Sequence, residues 1–340
     1  MNKMWQFAVI LAVCTAAAPG VSYAQSTDVV GTRAAGMGGA FVAVADDASA
    51  VYWNPAGLAV GSYFSLVLDG GIREAVPDQG PRGETQSSFL IAATMPAFGL
   101  SYYRVRNAVA VPAVLLQPAE GPVLTQATHL RVDTLVTNHA GITFVQSVLP
   151  NVSVGSTLKV VRGVAATGFG ELGDAEDALD ADTPDGEGTT RVDLDFGVMA
   201  TVRKLKAGLT VRNVREPEFT SPEGRTLKLE RQARAGVSYA LLAGLTLAAD
   251  MDLLESDGAF GERRDAAFGL EARLAQRAWL RSGLRINTVN AEGDQDGGAR
   301  RAITVGGTFA ATASVMVDGL VISGGDQSGR GWGVSARFVY

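Results

Sequence analysis

The sequence predicts an all-β protein, a closed antiparallel transmembrane β-barrel of about 14 strands with a small N-terminal hatch segment. Three observations predict this fold. Segments of alternating polarity recur from Tyr63 to the end of the chain, long connections alternate with short turns, and the chain ends in an apolar, aromatic strand.

Residues 1–24 have the organisation of a secretory signal peptide. Lys3 gives a positive start, residues 7–13 form a short apolar run, and Ser22-Tyr23-Ala24 supplies small residues where a signal peptidase reads the chain. We therefore expect the mature chain to begin at Gln25, and loss of Lys3 changes the net charge from −6 to −7. The alternative is a lipoprotein signal in which Cys14 becomes a lipidated N-terminus.

Composition excludes several classes of protein. If Cys14 leaves with the signal, the mature chain has no thiol for a disulfide, a zinc ligand or a nucleophile. An acidic chain lacks the clustered Lys and Arg that bind phosphates, so no nucleic acid partner is expected. The only histidines, His129 and His139, stand in no triad-like pattern, and Gly36-Met37-Gly38-Gly39 lacks the third glycine of a dinucleotide fingerprint. We expect no enzyme and no cofactor.

The first predictor of the barrel is alternation with a period of two. Side chains on a strand point alternately to opposite faces, so each such segment has one apolar and one polar side. In residues 244–253, for example, Asp250 and Asp252 oppose Leu247, Ala249 and Met251. The pattern predicts strands at 63–72, 86–95, 99–107, 129–148, 152–164, 191–203, 206–214, 225–241, 244–253, 263–274, 278–287, 300–309, 313–323 and 332–340.

The second predictor is the length of the connections. Those after odd-numbered strands are long: 73–85, 108–128, 165–190, 215–224, 254–262, 288–299 and 324–331. Those after even-numbered strands are only a few residues, such as Pro96–Phe98 and Ala275–Arg277. Outer-membrane barrels have this asymmetry, with short periplasmic turns and longer outside loops, whereas a sandwich has no reason to place every long loop at one end.

The third predictor is the last strand. Trp332, Val334, Ala336, Phe338 and Tyr340 share one face of it. A terminal aromatic residue at an outward position resembles the signal by which barrel proteins are recognised for assembly. So apolar an edge would invite aggregation unless the sheet closes on itself. The barrel is therefore expected over residues 63–340, in the outer membrane, with outer-membrane lipid and the barrel-assembly machinery as partners.

Residues 25–62 differ from the rest, being rich in Gly and Ala, and are expected to form a hatch or plug within the lumen. Gly31-Thr32-Arg33-Ala34-Ala35-Gly36-Met37-Gly38-Gly39-Ala40-Phe41, then Asp46-Asp47-Ala48-Ser49-Ala50 and Asn54-Pro55-Ala56-Gly57-Leu58, resemble the opening of FadL-like outer-membrane transport proteins. The closer resemblance is to their PorV/PorQ-like branch, which Arg212-Asn213-Val214 and Arg234–Tyr239 also resemble.

This resemblance implies a fourteen-stranded barrel with a hatch, and it leaves two functions open. FadL-type members pass fatty acids or aromatic hydrocarbons across the outer membrane, which implies a hydrophobic small molecule as the partner. The PorV branch takes part in protein export, which implies a secreted protein cargo. The sequence therefore predicts passive transport of small hydrophobic molecules, with an accessory barrel of a protein-export system as the alternative.

Candidate sites fall in the hatch and in two outside loops. The hatch residues that either bind ligand or shape the hatch are Arg33, Gly36, Gly38, Gly39, Asn54, Pro55 and Ala56. The predicted loop 108–128 is unusually apolar, and Val111, Val114, Leu115 and Leu116 are expected either to capture a ligand or partner or to pack over the mouth. The acidic run in residues 171–187 fits no EF-hand spacing, so a solvated surface without metal is expected.

Overall fold

The structure is a computed structural model that describes residues 30–76, 82–113, 129–171, 179, 188–289, 301–325 and 327–340. The predicted signal peptide and the alternative lipidation at Cys14 fall outside these residues, as do Val114, Leu115 and Leu116. Among the described residues, no helix is long and apolar enough to cross a membrane.

Fourteen strands form one closed antiparallel barrel, which confirms the predicted fold class. They are β1 (Ser65–Ala75), β2 (Gly83–Met95), β3 (Phe98–Ala113), β4 (His129–Leu149), β5 (Val152–Glu171), β6 (Thr189–Val202), β7 (Leu205–Arg212), β10 (Gln232–Leu242), β11 (Leu245–Asp252), β14 (Asp265–Ala275), β15 (Ala278–Asn287), β16 (Arg301–Ala310), β17 (Val315–Gly324) and β18 (Arg330–Val339). Two short hairpins, β8–β9 (Glu218–Thr220 and Thr226–Lys228) and β12–β13 (Ser256–Gly258 and Gly261–Arg263), interrupt the series.

The barrel closes where its first strand meets its last. β1 pairs with β18 from Ser65–Val339 to Glu74–Arg330. Beyond that ladder, the backbone N–H groups of Phe64 and Tyr340 each donate to the other residue's carbonyl, at 3.0 and 2.9 Å. Every other barrel strand pairs with its neighbours along the chain, so the sheet has no open edge.

The wall separates apolar from polar side chains. The large outward side chains are apolar and exposed, which suits a lipid surface; they include Phe89, Leu100, Phe144, Leu158, Phe196, Phe268, Ile303, Val321 and Trp332. Inward positions on the same strands hold buried polar and charged side chains, such as Asp69, Lys159, Asp250 and Asp318. In the last strand the predicted outward face, with Trp332, Val334 and Phe338, is exposed, while Ser335 and Arg337 are buried.

The two ends of the barrel differ as the loop lengths predict. Turns of a few residues join β2 to β3, β4 to β5, β6 to β7, β10 to β11, β14 to β15 and β16 to β17, and this is the short-turn end. Both short hairpins, and the strand ends that the long connections join, lie at the opposite end, the mouth.

Three predicted boundaries are wrong by more than three residues, and all lie at the mouth. The strand expected to end at residue 164 continues to Glu171 as β5. The loop expected from residue 108 begins only after Ala113, so Val111 lies in β3 and not in a loop. The strand expected over 225–241 begins at Gln232, and Thr226–Lys228 belongs to the β8–β9 hairpin. Near the mouth, other segments of the chain cover faces of the wall that alternation treats as open.

The surroundings of Val111 show why the alternation of polarity stops in this part of β3. Val109 and Val111 pack inward against Ala259, while Ala108 and Ala110 pack outward with Leu130 and Leu179. Because both faces are covered, both faces are apolar, and the period of two disappears from the sequence.

Inside the barrel, the segment from Val30 to Val60 contains α1 (Thr32–Gly36), α2 (Ala50–Trp53) and a 3-10 helix (Pro55–Val60). We call residues 30–60 the hatch. Its apolar side chains form the largest buried cluster, which includes Met37, Phe41, Val51, Trp53 and Leu58.

Candidate functional site

The hatch is bound to opposite sides of the barrel wall by two inward carboxylates. Asp69 of β1 accepts a hydrogen bond from the backbone N–H of Thr32 at 2.6 Å. Asp250 of β11 accepts from the backbone N–H groups of Phe41 and Val42, both at 2.8 Å. Since β1 and β11 are almost opposite in the strand order, the hatch spans the lumen.

Glycines in the wall let the hatch backbone touch the strands. A Cβ added to Gly155 would stand 2.5 Å from the backbone of Ala56, and one added to Gly269 would stand 2.7 Å from the carbonyl of Met37. A Cβ at Gly283 would overlap the amide nitrogen of Gly38. Glycine inside a strand often marks a close approach by another backbone. The sequence therefore carries a signal for these contacts, although the alternation pattern does not distinguish these glycines.

The Asn54-Pro55-Ala56 motif lies at the contact with β5 and β6. Asn54 is fully buried, and its side-chain oxygen accepts from the N–H of Ala56 at 3.1 Å, capping the 3-10 helix that Pro55 begins. Its side-chain nitrogen donates to the carbonyls of Val42 and Val198, at 2.9 and 3.1 Å. The motif therefore ties the hatch to itself and to the wall; a ligand contact there remains a prediction.

The predicted hatch glycines hold the chain close to the wall. Gly38 has a φ of +70°, a conformation that favours glycine, where the hatch touches β15. Gly39, at φ +86°, lies beside Trp53 and accepts from the Arg234 guanidinium at 3.2 Å. The carbonyl of Gly36 accepts from the Thr304 hydroxyl at 3.0 Å.

Arg33 is the charged centre of the hatch and belongs to a ring of alternating charges. It pairs with Glu271 of β14, which pairs with Arg281 of β15, which pairs with Asp318 of β17. Asp318 pairs with Arg337 of β18, and Arg337 and Arg33 both pair with Asp47 of the hatch. We call these six side chains, Arg33, Glu271, Arg281, Asp318, Arg337 and Asp47, the charge ring.

The arginines of the charge ring are almost completely buried. Arg33, Arg281 and Arg337 expose 10, 3 and 8% of their side chains. Burial opposes the charged form of Arg33, but Asp46, Glu271 and Asp47 outweigh it and raise its pKa well above the usual value. Burial likewise opposes ionisation of Asp47, and Arg33 and Arg337 nevertheless lower its pKa. Charges removed from water in this way stabilise a structure only while each keeps its partner.

A cavity of about 340 Å³ borders the charge ring at the short-turn end. Arg33, Asp46 and Arg337 line it together with Trp279 and Val339 of the wall. The charge ring thus lies between the packed hatch and a polar space at the short-turn end.

A second, smaller cavity of about 20 Å³ lies above the hatch, towards the mouth. The ring of Tyr52 in the hatch meets Tyr103 of β3 edge-on at 5.4 Å, and Tyr103 stacks on His139 of β4 at 4.2 Å. Arg212 stands 4.0 Å over the Tyr52 ring. Leu229, just after the β8–β9 hairpin, lines the mouth side of the cavity. We call this space the aromatic cavity.

The charges around the aromatic cavity are already engaged. Lys159 pairs with Asp193 and Asp195 at 3.1 and 2.8 Å and donates to Asn213 at 3.1 Å. His139 Nε2 lies 2.9 Å from the Thr137 hydroxyl, whereas His139 Nδ1 has no hydrogen-bond partner among the described residues. The cavity is therefore lined by the Tyr52, Tyr103 and His139 rings together with polar side chains, including Asn107, Lys159, Arg212 and Asn213.

Two hairpins cover the mouth above this cavity. Phe219, Leu227 and Leu229, on and beside the β8–β9 hairpin, pack on Leu135 and Val161 of the inner wall. Ala259, in the turn of the β12–β13 hairpin, packs on Val109 and Val111 of β3. Since β3 stands opposite β14 in the strand order, the second hairpin crosses the mouth.

The structure therefore brings some predicted residues together and separates others. Arg33, Gly36, Gly38, Gly39, Asn54, Pro55 and Ala56 all lie in the hatch, at its contacts with the wall. Val111 lies at the mouth, far along β3 from them. Tyr52, Tyr103 and Asp318 were not predicted as site residues. The described residues also hold no group of three or more His, Cys, Asp or Glu side chains placed to bind a metal ion.

Comparison with solved structures identifies the fold. A Pseudomonas aeruginosa FadL homologue matches with a TM-score of 0.58 at 12% identity, over 94% of this chain and all of that one. The CymD monoaromatic hydrocarbon channel matches with a TM-score of 0.58 at 14% identity, over 91% of this chain and 97% of that one. A TodX monoaromatic hydrocarbon channel mutant matches with a TM-score of 0.51 at 11% identity, over 85 and 92%. At these identities the shared property is the FadL-type fold.

Sequence comparison adds less. A family model described as "F plasmid transfer operon, TraF, protein" matches residues 90–252, which is less than half of the chain. No curated protein matches. CymD and TodX are named as channels.

Proposed function

We propose that the protein is an outer-membrane barrel that passes small hydrophobic molecules by passive transport. The observation that carries the proposal is the aromatic cavity, enclosed between the hatch and the mouth hairpins. Tyr52, Tyr103, Val105 and Leu229 offer rings and alkyl groups there. The two cations that also line the cavity are engaged, Lys159 with Asp193 and Asp195 and Arg212 with the Tyr52 ring. The shared fold with hydrocarbon channels supports the same function.

The proposed route enters at the mouth and leaves past the hatch. A space of about 20 Å³ holds little more than one water-sized molecule, so a hydrocarbon enters only if Leu229 moves aside. Below it the hatch fills the lumen, and the charge ring must open for the molecule to reach the cavity at the short-turn end. The apolar outer wall and the predicted signal peptide support placement in the outer membrane.

Uptake by intact cells tests this function. Cells that lack a hydrocarbon transporter, with and without the protein, are given labelled toluene and labelled oleate. We expect the protein to raise the initial rate of uptake, Tyr103→Ala to lower that gain, and Leu229→Ala to raise it. Leu247→Ala, on the lipid-facing side of β11, is the matched control and leaves the rate unchanged. A folded protein that raises uptake of neither compound contradicts the proposal.

A second function, an accessory barrel for protein export, has its own supporting observation. The aromatic cavity is small and the hatch is tightly bound, which suits a barrel that works through its surfaces. The resemblance of residues 31–58 to the PorV/PorQ-like branch points the same way. Purification from the native host tests it: secreted proteins with a shared C-terminal domain would co-purify, and their absence would count against an export role.

A further inference from the structure

The two mouth hairpins touch at one carboxylate. Glu230, which follows the β8–β9 hairpin, accepts a hydrogen bond from the backbone N–H of Asp257 in β12 at 3.2 Å. Glu230 and Asp257 are both half-buried in the described structure. Leu229, which covers the aromatic cavity, is the residue next to Glu230. The contact thus joins the two hairpin connections at the mouth, next to the residue that lines the mouth side of the cavity.

The charges that face Glu230 leave its carboxylate poorly compensated. On the same segment, Lys228 is the nearby cation, but it forms an ion pair with Glu216 at 2.9 Å. Arg231 also forms an ion pair with Glu216, at 3.4 Å. From the other hairpin, Asp257 presents a second acid. Glu230 therefore lies between the acids of Glu216 and Asp257, with its nearest cation engaged elsewhere.

This environment raises the pKa of Glu230 to about 7. Burial is the main cause, and the carboxylates of Asp257 and Glu216 act in the same direction, while the Asp257 N–H and Lys228 oppose them. Burial also raises the pKa of Asp257. The closed arrangement is consequently favoured by protonation.

We propose that Glu230 and Asp257 form a proton-operated latch that holds the two hairpins together in acid and releases them in alkali. A group whose pKa is higher in the closed state stabilises closure most fully at low pH, and that stabilisation is lost as pH rises through the closed-state pKa. When the hairpins separate, the segment of Leu229 loses its contact with the second hairpin and is held only by its packing on Leu135 and Val161. The latch would act on access to the lumen whatever the barrel handles, so it goes beyond the proposed transport.

A distance measurement between the hairpins tests the latch without any transport assay. In the full-length protein, with Cys14 replaced by serine, spin labels are attached at Thr226→Cys and Glu262→Cys, both exposed hairpin positions. We expect one short, narrow distance at pH 5 and a longer, broader distribution at pH 9. Because Glu230 is partly exposed, we expect the ratio of closed to open hairpins to fall by about tenfold or more between these conditions.

Three variants test whether ionisation of Glu230 causes the hairpins to separate. Glu230→Gln cannot ionise and keeps the amide oxygen as an acceptor, so it stays closed at both pH values. Asp257→Asn removes a like charge that raises the pKa of Glu230, so ionised Glu230 destabilises the closed arrangement less, and we expect this variant to open less at pH 9 than the parent. Glu255→Gln, on the same connection but paired with Arg264, responds like the parent protein.

A parent distance that is the same at pH 5 and pH 9 would overturn the latch, as would a Glu230→Gln variant that opens in alkali like the parent. An Asp257→Asn variant that opens more than the parent at pH 9 would overturn it independently. Failure of hydrocarbon uptake leaves these distances unaffected, so the latch and the proposed function fail separately.

Discussion

Arg33 of the hatch and Glu271 of β14 form a two-pronged ion pair, with Nε to Oε2 at 3.0 Å and Nη2 to Oε1 at 2.9 Å. The planar guanidinium fork matches a carboxylate in this geometry, which a lysine does not reproduce. The pair joins a helix of the hatch to the wall and continues through Arg281 into the charge ring. Because each side chain of the charge ring pairs with two others, the loss of one leaves two buried charges with one partner fewer.

The first prediction concerns this pair. Replacing Arg33 by alanine leaves Glu271 and Asp47 buried with one partner fewer, and loss of one side of a buried ion pair costs about 3–5 kcal/mol. We expect amide hydrogen exchange in the hatch to accelerate by about a hundredfold or more while the barrel strands stay protected. Arg191→Ala, at an exposed position, is the control and leaves hatch exchange unchanged. Equal protection of the hatch amides in Arg33→Ala and in the parent would show that Arg33 does not hold the hatch in place.

The second prediction concerns the contact between backbones at Gly283. A Cβ at Gly283 would overlap the amide of Gly38, so Gly283→Ala must displace the hatch, at a cost of about 1–3 kcal/mol or more. Faster trypsin cleavage after Arg33 reports the displacement. Gly319→Ala is a matched control, because a Cβ there meets nothing within 4 Å. Similar cleavage of both variants would show that the hatch does not rest on this glycine.

The third prediction concerns Asp250. Asp250→Ala leaves the N–H groups of Phe41 and Val42 buried without their acceptor, and each unsatisfied group costs about 1–3 kcal/mol. We expect faster exchange at these two amides, measured residue by residue, and a smaller effect in Asp250→Asn, which keeps one oxygen. If Asn and Ala variants exchange alike, the carboxylate does not anchor the hatch as described.

The fourth prediction is a pH dependence of the hatch. Since its neighbours hold the pKa of Asp47 below the ordinary value, Asp47 stabilises the hatch above about pH 4, and this stability is lost as pH falls further. Hatch exchange, corrected for the intrinsic rate, should therefore rise in acid. Asp47→Asn should be less stable at pH 7 and lose this part of the acid response. An acid response as large in Asp47→Asn would assign it to other groups.

The sequence predicts the barrel wall well because the wall obeys a local rule. Each strand has one face towards lipid and one towards the lumen, so alternation and loop length suffice to place it. The rule fails at Ala108–Val111 and at residues 225–231, where the mouth covers both faces of the wall or folds a hairpin inward. Those contacts come from distant segments and leave no local period.

The site was less predictable for the same reason. Arg33 and Asn54 stand in a motif, and the inward charges Glu271, Arg281 and Arg337 follow from strand parity. Nothing local shows that Tyr52 of the hatch meets Tyr103 of β3, since that contact depends on how the hatch sits in the lumen. The wall glycines, such as Gly283, did carry a signal in the sequence, because a strand interior seldom favours glycine without a close neighbour.

The most direct test of the account locks the hatch to the wall and measures uptake. The Thr32 hydroxyl lies 3.0 Å from where a Cβ on Gly333 would stand, so Thr32→Cys with Gly333→Cys places two thiols at the hatch–β18 contact. Labelled toluene and oleate are then offered to cells carrying this variant, oxidised or reduced. The account predicts that the disulfide abolishes the uptake that the protein confers and that reduction restores it. Equal uptake by the oxidised and reduced forms, with the disulfide shown to be complete, would contradict a route past the hatch.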